Sequence, residues 1–214
     1  MIRNRILAGV IRLAIAAVLV TTALIAYLPQ PAYCIEYTFL SNLVEGLVLL
    51  IFGIALLAGR PAVPALIDLC LVIMALIMLG IVLLDVSAYS FSGPTFFLHI
   101  INPLLVLANW LLVATRGQIK KPGQVMAVLV FPVGYLAFLF SHGAVTGDYI
   151  YPIFDVTALG LASVALFIGA VLVVTVVVAC GLWFIYRRQR VRGAGSVRGT
   201  ENMTPPGWGG ANLV

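Results

Sequence analysis

Six stretches of about 20 mostly apolar residues constrain this chain more than any other feature of its sequence. The hydrocarbon core of a bilayer is about 30 Å thick, so a helix of about 20 apolar residues crosses it. The six stretches are residues 6–27, 38–58, 63–84, 96–115, 125–142 and 157–186. Segments with Pro and Gly separate several of them, as expected of turns between helices. Long unbroken apolar runs exclude a membrane barrel, whose strands alternate apolar and polar residues.

The composition supports the same class of protein. Hydrophobic residues make up 63% of the chain and charged residues only 9%, whereas a soluble domain carries about 25% charged residues. This excludes a water-soluble globule and a disordered chain. Three cysteines are too few for a disulfide scaffold. The sequence therefore predicts an all-α polytopic membrane protein, a bundle of six transmembrane helices.

The basic residues predict the orientation of this bundle. All 12 Lys and Arg residues lie at the start of the chain, between spans two and three, between spans four and five, or after span six. The positive-inside rule then places both termini in the cytoplasm of a multi-pass cell-membrane protein. The net charge of +5 is thus a topology signal that gives no support to nucleic-acid binding, and we expect membrane lipids as partners. Residues 1–190 form the membrane domain, and residues 191–214, rich in Gly and Pro, form a disordered cytoplasmic tail.

The second span carries a polar stripe. Thr38, Ser41, Asn42 and Glu45 fall at positions i, i+3, i+4 and i+7, which share one face of a helix. The stripe extends about 10 Å inward from the outer surface, at 1.5 Å per residue. Polar groups at membrane depth face the bundle interior or a wet cavity because exposure to lipid is costly.

The fourth span offers a matching stripe at the same depth. His99 and Asn102 fall at i and i+3, and Pro103 removes the backbone hydrogen bond to the carbonyl of His99. The last outer loop adds Asp155 at the same end of the bundle. Together with the second-span stripe that begins at Thr38, these residues predict a polar pocket in the outer half of the bundle.

Each of these residues also has a structural interpretation. Thr38 and Ser41 are typical of hydroxyls that bond to carbonyls of their own helix. His99 fits an interfacial histidine, Glu45 a protonated carboxyl bonded to a neighbour, and Asp155 a helix cap. Tyrosines near the outer ends fit an interfacial aromatic belt. Metal-ligand spacing and Gly-rich phosphate loops are absent from the sequence, so we expect no metal and no cofactor.

Three sequence blocks resemble those of the bacterial Pr6Pr family of six-span membrane proteins. They are residues 37–43, residues 99–103 with Asn109 and Trp110, and residues 151–156, and the resemblance covers roughly residues 5–190. The family pattern has an Asp before the tryptophan, where this chain has Asn109. Pr6Pr proteins are in turn similar to the eukaryotic androgen-induced and androgen-dependent membrane proteins, which cleave fatty-acid esters of hydroxy fatty acids with a threonine and a histidine.

This resemblance implies that Thr38 is a nucleophile and His99 its general base. Three side chains are candidates to orient the imidazole: Glu45, Asn102 and Asp155. Asn42 or a backbone amide is a candidate to stabilise the oxyanion. The implied function is hydrolysis of a lipid-like ester.

Two other functions remain open at this point. A small transporter or channel needs a polar path, and the sequence shows only Asp68 and Asn109 in the inner half, with no evident partner for Asp68. A non-catalytic binding or scaffold protein predicts that Thr38 and His99 lie more than about 6 Å apart with no pocket between them, beyond the reach of proton transfer.

Overall fold

The computed structural model describes residues 4–60, 64–84, 93–113 and 119–201. These residues contain six helical spans that are long and apolar enough to cross a membrane. The spans are Arg5–Tyr27, Tyr37–Leu57, Ala65–Leu84, Gly93–Leu112, Pro122–Thr146 and Leu161–Glu201. The predicted all-α bundle with six membrane helices is confirmed, and the orientation of its termini stays a prediction.

Two spans are longer than predicted. The fifth begins at Pro122 with a tight 3-10 helix to Leu129 before it continues as an α-helix to Thr146. A proline suits this first position because its missing N–H has no partner there in any case. The sixth helix continues along the chain to Glu201. Residues 202–214 lie outside the described part, so the disordered tail from 191 stays a prediction.

The first and second spans pack closely through glycines. A Cβ added at Gly53 would lie 3.2 Å from the carbonyl oxygen of Gly9, and one added at Gly46 would lie 2.6 Å from Cγ2 of Val20. Small residues let two membrane helices approach each other, and dispersion contacts then hold them together. This contact fixes the second span, and with it the predicted polar stripe, against the first.

The third span forms the centre of the bundle. Leu69, Val72 and Ile73 are at most 1% exposed and pack into the main apolar cluster. The sixth span lies at the edge, where Val173 and Val177 are more than 60% exposed. In a bilayer such an exposed apolar face contacts lipid tails.

The fourth span changes geometry where the predicted site lies. Residues Phe97–Ile101 form a π-helical turn, in which the N–H of Asn102 donates to the carbonyl of Phe97. Pro103 follows and has no N–H to donate to the carbonyl of His99. Such π-turns occur frequently at functional sites, and this one places His99 and Asn102 inside the bundle.

A buried ion pair joins the first and third spans. Arg12 donates from Nη2 to Oδ2 of Asp68 at 2.7 Å, and both side chains are 0% exposed. By its position Arg12 is one of the basic residues at the start of the chain, and the sequence gives no evident partner for Asp68. Arg12 lies within the first helix and is that partner.

Candidate functional site

Thr38 and His99 are in direct contact. Thr38 stands in the first turn of the second span and His99 in the π-turn of the fourth, and both are buried. Oγ1 of Thr38 lies 3.4 Å from Nε2 of His99, and Nδ1 of His99 lies 2.9 Å from the carbonyl oxygen of Thr95. A carbonyl only accepts, so Nδ1 carries the hydrogen and a neutral ring presents Nε2 as an acceptor to the threonine hydroxyl.

The threonine hydroxyl has a second, weaker neighbour. Oγ1 of Thr38 also lies 3.4 Å from the sulfur of Met78, a poor hydrogen-bond acceptor. Contacts between a nucleophile and its base are often long before a substrate binds. Of these two neighbours the imidazole nitrogen is the better acceptor for the hydroxyl proton of Thr38, whose side chain also interacts with the phenol of Tyr27.

Two asparagines lie beneath this pair and join three spans. Nδ2 of Asn42 donates to the carbonyl of Thr38 at 2.8 Å, and Oδ1 of Asn42 accepts from Nδ2 of Asn102 at 2.7 Å. Nδ2 of Asn102 also donates to the hydroxyl of Thr22 in the first span at 2.9 Å. Both asparagines are at most 2% exposed. Oδ1 of Asn102 has no hydrogen-bond partner among the described residues, but the two bonds from Nδ2 of Asn102 connect the fourth span to the first and second spans.

Ser41 and Glu45 extend the stripe below Thr38. The hydroxyl of Ser41 donates to the carbonyl of Thr38 at 3.4 Å. Glu45 is 2% exposed, and its Oε1 has no hydrogen-bond partner among the described residues. Both side chains therefore face the bundle interior, and the amide of Asn42 is directed at the backbone of Thr38.

Asp155 lies apart from this cluster, at the surface. It caps the short helix Val156–Leu159 by accepting from the N–H groups of Thr157 at 2.8 Å and Ala158 at 3.1 Å. The hydroxyl of Thr157 donates to the same carboxylate and is the main reason that the pKa of Asp155 lies below its usual value. The structure thus brings Thr38, His99 and the two asparagines together and gives Asp155 a local role.

Two cavities lie on either side of the Thr38–His99 contact. An apolar cavity of about 330 Å³ is lined by Thr38 and by side chains of the third, fifth and sixth spans. A polar cleft of about 270 Å³ is lined by His99 and by residues of the first span and the following loop. The apolar lining includes Tyr37, Met78, Tyr135, Phe154 and Phe167, and the polar lining includes Tyr27, Gln30, Tyr33, Glu36 and Thr95.

Tyrosines build the walls around the site, a role that the expected aromatic belt does not include. The hydroxyl of Tyr151 accepts from the N–H of Tyr37 at 3.0 Å, and burial raises the pKa of Tyr151. The hydroxyl of Tyr135 donates to the carbonyl of Ile35 at 3.2 Å. The loop between the fifth and sixth spans is thereby attached to the start of the second span. Local spacing gives no signal for contacts between residues so far apart in the chain.

The first turn of the second span supplies backbone donors next to Thr38. The first bond of this helix runs from the N–H of Leu40 to the carbonyl of Glu36 at 3.0 Å. The N–H groups of Thr38 and Phe39 precede it, so they have no carbonyl of their own helix to bond. They lie in the same turn as the hydroxyl and carry the positive end of the helix dipole.

The described residues contain no group of three or more His, Cys, Asp or Glu side chains able to hold a metal ion. Comparison of the chain with family models, with curated proteins and with solved structures finds no match. The six apolar helices identify the molecule as a multi-pass α-helical membrane protein, in contact with lipid, that contains buried polar residues.

Proposed function

We propose that this protein is a membrane hydrolase that cleaves lipid-like esters with Thr38 as nucleophile and His99 as general base. The observation that carries the proposal is the 3.4 Å contact between Oγ1 of Thr38 and Nε2 of His99, with Nδ1 held by the carbonyl of Thr95. A hydroxyl is a weak nucleophile until a base takes its proton, and the base must lie within hydrogen-bond reach. The sequence blocks that resemble Pr6Pr proteins contain the same pair, and the membership in that family stays a prediction because no family model matches the chain.

The first half of the reaction forms an acyl-enzyme. Oγ1 of Thr38 attacks the ester carbonyl carbon while Nε2 of His99 takes the hydroxyl proton. The oxyanion accepts hydrogen bonds from the N–H groups of Thr38 and Phe39, donors of the kind that stabilise such intermediates. The bond to the alcohol oxygen then breaks, and His99 returns its proton to the leaving alcohol.

Water completes the cycle. Nε2 of His99 takes a proton from a water molecule, whose oxygen attacks the acyl carbon. The bond between this carbon and Oγ1 of Thr38 breaks, Thr38 recovers its proton from His99, and the carboxylic acid leaves. The asparagine network beneath the pair holds the two helices so that the attacking and accepting atoms stay in contact, which is the positioning that such catalysis requires.

The two cavities suit the two parts of an ester. An acyl chain fits the apolar cavity, which Thr38 lines, and the alcohol part fits the polar cleft, which His99 lines. The scissile carbonyl then lies at the contact between these two side chains. The substrate enters from lipid, so placing its chain in an apolar cavity changes its environment little, and selectivity depends on the polar part.

The geometry argues against the other two functions. A scaffold protein predicts a separation above about 6 Å between Thr38 and His99, and the observed distance is 3.4 Å. A transporter needs a polar path through the inner half, where Arg12 and Asp68 are fully buried and line neither of the two cavities.

The test uses the purified full chain in lipid nanodiscs. We expect turnover of a panel of p-nitrophenyl acyl esters and fluorophosphonate labelling of Thr38 mapped by mass spectrometry. Thr38→Ala abolishes both, and His99→Ala lowers turnover by about 100-fold or more, the usual contribution of a general base. Thr175→Ala, a buried threonine that donates to Val171 in the sixth span, is the matched control and keeps wild-type turnover.

Two results would overturn the proposal. One is a Thr38→Ala protein that elutes as a single species and hydrolyses the esters as fast as the wild type. The other is a folded wild-type protein that neither turns over any ester of the panel nor reacts with the probe.

A further inference from the structure

We propose that the polar cleft beside His99 is a head-group subsite that accepts a positively charged ammonium group and discriminates against a carboxylate. The inference rests on the proposed function, because it names the class of ester whose alcohol part occupies this cleft. It predicts that the substrates are esters with a cationic, ammonium-bearing alcohol part.

The charge of the residues that line the cleft favours a cationic ligand. Among the described residues that line it, Glu36 is the one acid, and none is Lys or Arg. A cleft whose lining carries this negative charge attracts cations and repels anions.

Glu36 is held in place at the edge of the cleft. The hydroxyl of Tyr27 donates to its Oε2 at 2.7 Å, and the residue is partly buried directly before the second span. The ion pair found among the described residues is that of Arg12 and Asp68. Glu36 therefore has no basic side chain as an ion-pair partner among these residues. A partly desolvated carboxylate without a counter-ion gains from a cationic ligand more than a hydrated one does.

Tyrosine rings complete the environment. Tyr27 and Tyr33 both line the cleft, and Tyr33 is 52% exposed. Aromatic faces beside a carboxylate are the recurrent means by which proteins recognise quaternary ammonium groups. The cleft volume of about 270 Å³ leaves room for a trimethylammonium group next to the ester.

The alternative is a carboxylate-bearing alcohol part, as in the hydroxy fatty-acid esters cleaved by the hydrolases that the sequence resembles. Binding of a carboxylate in a low-dielectric site normally uses Arg or Lys as a partner. The described residues that line the cleft include neither Arg nor Lys, and Glu36 would repel the ligand. The cleft therefore favours a different class of substrate from the one cleaved by the hydrolases to which Pr6Pr proteins are similar.

The experiment measures binding to the Thr38→Ala protein in nanodiscs of neutral lipid, where no turnover occurs. Three fluorescent amphiphiles of equal chain length end in trimethylammonium, hydroxyl or carboxylate, and their Kd values are compared. We expect the trimethylammonium probe to bind at least tenfold more tightly than the carboxylate probe. Adding Glu36→Gln, which retains an acceptor for Tyr27, reduces this ratio to within twofold. Asp148→Asn, an acid at the same end that does not line the cleft, leaves the ratio unchanged.

The possible outcomes distinguish the head-group subsite from the proposed hydrolase activity. Equal binding of the three probes, a preference for the carboxylate, no binding at all, or an unchanged ratio in Glu36→Gln rejects the subsite. A charge preference in a protein whose wild type hydrolyses no ester keeps the subsite and rejects the hydrolase. Ester turnover without charge preference keeps the hydrolase and rejects the subsite.

Discussion

Replacing Arg12 by Met tests the buried ion pair between the first and third spans. Arg12 and Asp68 are each 0% exposed and 2.7 Å apart. Met has a similar length and no charge, so Arg12→Met leaves the carboxylate of Asp68 buried without its partner. Removing one partner of a buried ion pair lowers the free energy of unfolding by about 3–5 kcal/mol. Since 1.4 kcal/mol is a factor of ten, the unfolding equilibrium shifts by about two to three and a half orders of magnitude.

The double replacement separates the pair from its surroundings. Nε and Nη1 of Arg12 and Oδ1 of Asp68 have no hydrogen-bond partner among the described residues, so the pair is incompletely satisfied even in the native protein. Apolar replacement of both members of such a pair is often neutral or stabilising. We therefore expect Arg12→Met with Asp68→Leu to restore the free energy of unfolding to within about 1 kcal/mol of the wild-type value.

The measurement is reversible unfolding in mixed micelles by titration with sodium dodecyl sulfate, followed by fluorescence of the three tryptophans. Lys120→Met, at an exposed lysine, is the control for loss of one positive charge and leaves the midpoint unchanged. If Arg12→Met lowers the free energy of unfolding by less than about 1 kcal/mol, the pair contributes no more than a solvent-exposed ion pair does. That result would contradict its burial. A double variant as unstable as the single one would refute the argument from unpaired charge.

Two further predictions concern the site. Asn102→Leu removes the hydrogen bonds to Asn42 and Thr22. We expect the free energy of unfolding, measured by the same titration, to fall by about 1–3 kcal/mol, because buried polar groups are left unpaired. We also expect lower ester turnover. Burial raises the pKa of Glu36 above its usual value, so binding of the trimethylammonium probe is strong above that raised pKa and weakens as the pH falls through it. The Glu36→Gln protein, measured over the same pH range, shows no such weakening, and a matching decline there would assign it to another group of the cleft, such as His99.

The six spans and the inward stripe were predictable because the bilayer imposes them. Apolar length sets the spans, and the cost of polar groups in lipid sets the direction of the stripe. Thr38, Ser41, Asn42 and Glu45 are accordingly all at most 4% exposed. The common depth of Thr38 and His99 also follows from topology alone, since both stand near the same end of their spans.

The partners across the bundle were not predictable in the same way. Arg12 and Asp68 are 56 residues apart in the chain, and Tyr37 and Tyr151 are 114 apart. Hydropathy gives the depth of a residue but not the rotation of its helix, and that rotation decides which side chains meet. The rotation depends on packing, such as the glycine contact between the first two spans, and on the π-turn around His99, for which Pro103 gives only an indirect sign.

The side-chain amides and the carbonyl that hold Thr38 and His99 carry no formal charge, and this follows from their depth. Asparagine amides and the carbonyl of Thr95 hold Thr38 and His99, in positions where many hydrolases use a carboxylate. A carbonyl fixes the tautomer of the imidazole without burying an ion, whose desolvation at this depth would be expensive. The charged group, Glu36, stands at the partly exposed end, where water reaches it. In the proposed hydrolase the same physical constraint separates the chemistry, carried out by neutral groups inside, from the recognition of charge at the mouth.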